Sequence, residues 1–143
     1  MTPAEKLALA QRAYAAFSPL DISAILPLYH PECEWRMAPG REVFGTDVFR
    51  GHDGLRAFVA FIDEATETYA AQIDEARLMP EGALLVSNTT HARSSGAAGM
   101  ALSSRGWQAL EFRDGLILSI VQFGETPPGW AEAKPVMSPS PTP

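Results

Sequence analysis

Cysteine is nearly absent. A single one, Cys33, stands in 143 residues, which excludes an intramolecular disulfide and a thiolate zinc cluster. Basic residues are scarce too: 11 against 17 acids, a net charge of −6. Nucleic-acid binding needs clustered Lys and Arg, so that partner class is set aside. No apolar run approaches the ~18 residues that span a membrane, so no membrane partner is expected. Met1-Thr2-Pro3-Ala4-Glu5-Lys6 lacks the basic-then-apolar order of a secretory leader, and a cytoplasmic location is expected. His30, His52 and His91 share no ligand spacing, and no Gly-rich phosphate loop occurs. Neither a metal nor another cofactor is therefore expected.

Proline is plentiful but unevenly placed. Six of the twelve lie between Pro127 and Pro143. Each fixes φ and removes a backbone donor, so neither helix nor ladder is expected to run through that stretch. The reading is one folded domain over 1–125 and a Pro-rich tail over 126–143, mobile beyond Trp130.

Three helices are predicted first. Thr2-Pro3-Ala4-Glu5 carries a capping threonine, proline at the first helical position and glutamate at the third. Leu7, Ala10, Tyr14 and Phe17 then fall on one face. Asp21 caps a short second helix, bent at Pro27 and closed by His30-Pro31. Gly51-His52-Asp53-Gly54 opens a third, with Leu55, Phe58, Ile62, Ala65 and Tyr69 inward. Cys33–Met37 reads as a strand, 39–50 as a loop with a possible strand at Val48-Phe49. Strands follow over 73–79, 83–93, 100–112 and 116–123. A bulge is placed at Ser103–Gly106, and Arg113-Asp114-Gly115 signals a hairpin. The class is α+β, with helices covering one face of a curved, mostly antiparallel sheet.

Five motifs carry a resemblance. They are Ala13-Tyr14-Ala15-Ala16-Phe17, Asp21-Ile22-Ser23-Ala24-Ile25, Tyr29-His30-Pro31-Glu32-Cys33-Glu34-Trp35, Phe49-Arg50-Gly51-His52-Asp53-Gly54-Leu55 and Glu111-Phe112-Arg113-Asp114-Gly115-Leu116-Ile117. In this order the chain resembles the SnoaL-like, or polyketide-cyclase-like, group of the nuclear-transport-factor-2-like superfamily over about residues 5–124. The resemblance implies a cone-shaped roll that encloses a pocket, and homodimers packed through the sheet's outer face. That superfamily holds isomerases, cyclases, epoxide hydrolases and non-catalytic adaptors, so function must come from the site.

Strand alternation nominates the pocket residues. Trp35 and Met37 share one face, as do Gln108, Leu110 and Phe112, and Leu118, Ile120 and Gln122. On the middle strand either His91 with Arg93 or Thr90 with Ala92 points in, and the family pattern favours His91 and Arg93. The superfamily's steroid isomerases resemble this chain at Tyr14, but their aspartate base falls on Met37 and their protonated aspartate on Gln108. A thioether accepts no proton from a carbon acid. The epoxide hydrolases' aspartates likewise fall on His91-Ala92-Arg93 and Gln122. The nominated catalytic group is therefore His91 as base, with Tyr14 and Gln122 polarising a carbonyl. Trp35, Met37, Phe58, Ile62, Arg93, Gln108, Leu110 and Ile120 are nominated as ligand-binding. Each has a plainer alternative, for instance a core tyrosine at 14 or a solvent-facing histidine at 91. Trp107, opposite Gln108 in parity, is expected on the dimer face. The function expected is a cofactor-free isomerase, cyclase or hydrolase for a small apolar oxygenated molecule, or a non-catalytic binding module using the same pocket.

Overall fold

A computed structural model describes residues 1–37, 47–96 and 99–138. Helix α1 (Pro3–Phe17) starts on the predicted capping box: Thr2 Oγ1 accepts from the Glu5 amide at 3.1 Å, and Glu5 Oε1 accepts from the Thr2 amide at 2.8 Å. Helix α2 (Ile22–Ile25) is capped by Asp21 and tightens into a 3-10 turn over Leu26–Leu28, where Pro27 sits. Helix α3 (Gly51–Ala65) packs tightly on the strand before it. A Cβ at Gly54 would lie 2.8 Å from the Phe49 carbonyl carbon, so only glycine fits.

The strands are β1 (Tyr29–Arg36), β2 (Val48–Arg50), β3 (Thr66–Leu78), β4 (Leu84–Ser94), β5 (Ala101–Arg113), β6 (Leu116–Phe123) and β7 (Lys134–Met137). They form one sheet in the order β2-β1-β6-β5-β4-β3-β7. The β1–β6 pair is parallel and the rest are antiparallel. The β5–β6 turn has Asp114 at φ 54° and Gly115 at φ 75°. Two successive left-handed residues match the strands' twist, as the Asp-Gly pair predicted. The three helices cover one face of the sheet. Between them lies an aromatic cluster: Phe17, Tyr29, Trp35, Phe49 and Phe58, with Trp35 and Phe58 rings 4.8 Å apart.

Four expectations are corrected. The third helix stops at Ala65, not Tyr69. Thr66 turns extended (φ −132°), its hydroxyl donates to the Ile62 carbonyl at 2.7 Å, and the β-branched and aromatic run Thr66–Tyr69 continues as strand. The strand predicted from residue 73 thus begins seven residues earlier. No bulge interrupts Ser103–Gly106 in its pairing with β4; the β5 irregularity lies at Glu111/Phe112 against β6. The last correction concerns the C-terminal stretch. Residues 134–137 pair with β3, and Pro135, on an edge strand, needs no amide donor there. Arg77 stacks on Trp130 (4.3 Å) and donates to its carbonyl at 2.7 Å, while Pro127 and Ala133 are buried. The segment from 127 to 137 is a strap held along the β3 edge of the sheet, not a free tail. Of the loop expected over 39–50, residues 39–46 lie outside the described residues.

Candidate functional site

A cavity of about 60 Å³ opens between α1, α3 and the inner face of the sheet. Its apolar wall is Phe17, Tyr29, Trp35, Phe58, Leu110 and Ile120. Its polar wall comes from four neighbouring strands and one helix. Strict alternation turns Asn88 and Thr90 of β4, Gln108 of β5 and Gln122 of β6 inward. Tyr14 comes down from α1, and Tyr69 from the start of β3.

These groups form a directed chain. Asn88 Nδ2 donates to the Tyr14 hydroxyl at 2.8 Å, and that hydroxyl donates to Gln108 Oε1 at 2.6 Å. Gln108 Nε2 in turn donates to Gln122 Oε1. Buried amides require such partners, because an unmade hydrogen bond costs about 1–3 kcal/mol. Two side-chain nitrogens are left over. The Gln122 amide nitrogen has no partner among the described residues, and the buried Trp35 Nε1 has none either.

Electrostatically the cavity is neutral. Burial pushes the Tyr14 hydroxyl well above its ordinary range, against a smaller opposing effect of the Asn88 hydrogen bond. Burial also raises Tyr29 and Tyr69, the latter partly offset by Thr90. All three therefore stay protonated at neutral pH. Asp74 acts on Tyr14 through space, but its carboxylate accepts from Thr89 Oγ1 at 2.5 Å and does not line the cavity. Among the described residues, no carboxylate, imidazole or cationic group lines it.

Of the nominated residues, the fold gathers Tyr14, Trp35, Phe58, Gln108, Leu110, Ile120 and Gln122 around this space. Four fall elsewhere. Met37 packs at the edge of the core and Ile62 within it, but neither lines the cavity. His91 and Arg93 are exposed and border an open groove with Thr68, Ala70 and Ser103 near the β4–β5 hairpin end. Arg93 Nη1 donates to the Gly99 carbonyl there at 2.5 Å. On the middle strand it is Thr90 that lines the cavity, and Ala92 borders the open groove with His91 and Arg93. Sequence parity missed this because Leu84–Asn88 are all buried, which erases the alternation upstream. The available signal was charge: a basic residue two positions from a histidine marks the solvated side. Asn88 and Tyr69 were missed for the same reason and for the overlong helix, respectively. Trp107 does lie opposite Gln108 in parity, half-buried beneath the Arg105 guanidinium at 5.5 Å. Among the described residues no three His, Cys, Asp or Glu cluster as metal ligands.

The architecture has many counterparts among solved structures. TerC, co-crystallised with polyporic acid, is 20% identical with a TM-score of 0.72, over 85% of this chain and 92% of that one. A nuclear-transport-factor-2-like protein of unknown function from Burkholderia pseudomallei is 18% identical with a TM-score of 0.73, over 87% and 92%. AusH from Aspergillus nidulans is 16% identical with a TM-score of 0.70, over 94% and 93%. At such identities the likeness is one of fold. No curated protein sequence matches the chain. Residues 10–120 do match a family model, described as the SnoaL-like domain, and they span α1 through most of β6, the elements that build the cavity. The chain belongs to the SnoaL-like domain family.

Proposed function

We propose that the protein binds an uncharged, largely apolar, oxygen-bearing small molecule in the cavity beneath α1 and α3, and that it does so without a side-chain general base. One observation carries this reading. Among the described residues, every polar side chain that lines the cavity is a neutral hydroxyl or amide: Tyr14, Tyr29, Tyr69, Asn88, Thr90, Gln108 and Gln122. An aromatic box with a few convergent polar groups is the usual form of a ligand site. An ionised ligand would find no counter-charge among the described lining residues, and desolvating it would be costly.

The family resemblance favours a second reading, a cofactor-free isomerase, cyclase or hydrolase. On this chain it would run on hydrogen-bond polarisation alone, because the nominated base, His91, stands outside the cavity. The two readings separate in a pH profile. A panel of neutral ketones, alcohols and hydrocarbons, with polyporic acid as the anionic member, is titrated by calorimetry and followed for turnover. The binding reading expects neutral ligands to raise Tm, polyporic acid to bind weakly, and affinity to stay flat between about pH 5 and 9, where no lining group titrates. Bell-shaped turnover with any neutral ligand would replace it with the catalytic reading. A homodimer through the outer sheet face, with Trp107 at its centre, is part of the same proposal. Sedimentation of a monomer at micromolar concentration would remove it. A cytoplasmic location is proposed only on the grounds of composition.

A further inference from the structure

Two arginines of the sheet lack what the others have. Arg36, Arg50, Arg77 and Arg113 each have a carboxylate oxygen at 3.8 Å or closer. Arg93 and Arg105 have no carboxylate partner among the described residues. Both lie on the outer face of the β4–β5 hairpin, on the parity of His91. From Gly82 to Leu110 the chain that builds this hairpin contains no Asp or Glu, although acids outnumber bases 17 to 11 overall. The nearby carboxylates do not fill the gap. Asp74 accepts from Gln72 Nε2 at 3.0 Å and from Thr89 Oγ1 at 2.5 Å, and neither Asp74 nor Glu67 borders the groove beside Arg93.

Strand register hollows that groove. Two cross-strand rows lie side by side: Ala70–His91–Ser103 and Thr68–Arg93–Ala101. In each row a long or ringed side chain stands between two small ones. The space they leave is about 360 Å³, within the range of about 300–1,000 Å³ common for small-molecule sites. Arg93 Nη1 donates to the Gly99 carbonyl at 2.5 Å, which steadies the guanidinium, while its Nε and Nη2 have no partner among the described residues. We infer that this groove binds a small amphipathic carboxylate, its anionic head on Arg93 and its apolar body against the methyl groups of Ala70 and Ala101. A planar carboxylate matches two parallel guanidinium N–H donors. The hydroxyls of Thr68 and Ser103 and the His91 ring can donate to the same head. Arg105, two residues along β5 from Ser103, adds attraction at longer range. Trp107 lies four residues from Ser103, about 13 Å along the strand, so the dimer face and this groove are separate claims. The groove also stands apart from the neutral cavity on the other face of the sheet, and its ligand is a second one.

The test titrates the full chain with sodium benzoate, benzyl alcohol and inorganic phosphate, following the backbone amide resonances by NMR. Benzoate should move the resonances of Ala70, His91, Arg93 and Ser103 to saturation and bind about tenfold more tightly than either other probe. Raising the ionic strength from about 0.01 to 1 M shortens the Debye length from about 30 to 3 Å and should weaken it several-fold. Arg93→Gln should weaken benzoate about tenfold with Tm unchanged. Arg56→Gln, at an exposed arginine paired with Asp53 on α3, should leave its affinity as it was. Equal binding of benzyl alcohol would show that the charge is not read and would overturn the inference. Equal binding of phosphate would reduce the groove to a plain anion site and overturn it as well. So would benzoate affinity that survives Arg93→Gln, an absence of saturable shifts, or shifts confined to the cavity amides of Gln108 and Gln122.

Discussion

On β4, Asn88 and Thr90 look into the cavity, while His91 and Arg93, on the opposite face, lie among exposed residues. The two faces share a backbone and differ in everything chemical. The inner one carries neutral amides and hydroxyls joined in a chain and enclosed by aromatic rings. The outer one carries His91, Arg93 and Arg105, charged or titratable side chains of β4 and β5. Ionisable groups stay where water solvates them. Groups that can be neutralised by one another's hydrogen bonds are taken inside. The chemistry expected of His91 is thus separated from the pocket by the thickness of one sheet.

The contrast can be broken most forcefully with alkali. All three tyrosines have folded-state pKa values raised by burial above the ordinary value of 10.0. Such a group supports the fold fully below pH 10, and the support is lost as pH rises beyond it, because the unfolded chain ionises first. Each tyrosine should then cost about 1.4 kcal/mol per pH unit. Tyrosinate absorbance should therefore appear together with loss of structure. A simple rise near pH 10 in a still-folded protein would contradict the buried placement.

Core packing comes next. Leu110→Ala, on the inner face, should lower stability by about 2–5 kcal/mol in urea titration. Leu102→Ala, 52% exposed, should stay within about 0.5 kcal/mol. Equal effects would dissolve the distinction. A chain ending at residue 125 should lose about 1–3 kcal/mol, since it gives up β7 and the Arg77–Trp130 contact; an unchanged Tm would mean the strap contributes nothing. Gln108→Leu removes the partner of both Tyr14 and Gln122 and should cost about 1–3 kcal/mol, with ligand affinity falling as well. His91→Ala is the smallest: stability within about 0.5 kcal/mol and affinity for the cavity ligand unchanged. A marked loss of affinity there would return the imidazole to the site.

Much of this was legible beforehand because the signals are local. The capping box at Thr2 and Glu5, the Asp114-Gly115 turn, the proline at the α2 bend and the helical spacing of Leu55, Phe58 and Ile62 each act within a few residues. They set the element order and hence the α+β class. Inward parity was plain at Trp35, where Glu34-Trp35-Arg36-Met37 alternates, and at Gln108 and Gln122, which share a face with Leu110 and Ile120. It failed at His91 because Leu84–Asn88 are buried on both faces, so nothing local tells which face is the core. The strap was illegible for a related reason. Proline forbids a central strand but tolerates an edge, and whether an edge is vacant depends on β3, more than fifty residues away in the chain. The donor chain joins residues 14, 88, 108 and 122, and its direction follows from which groups are left to face one another once the sheet has closed. Composition and spacing specify the elements, since those are short-range steric preferences. Partnership across the cavity is a property of the packed fold, where burial compels every polar group to find the nearest other.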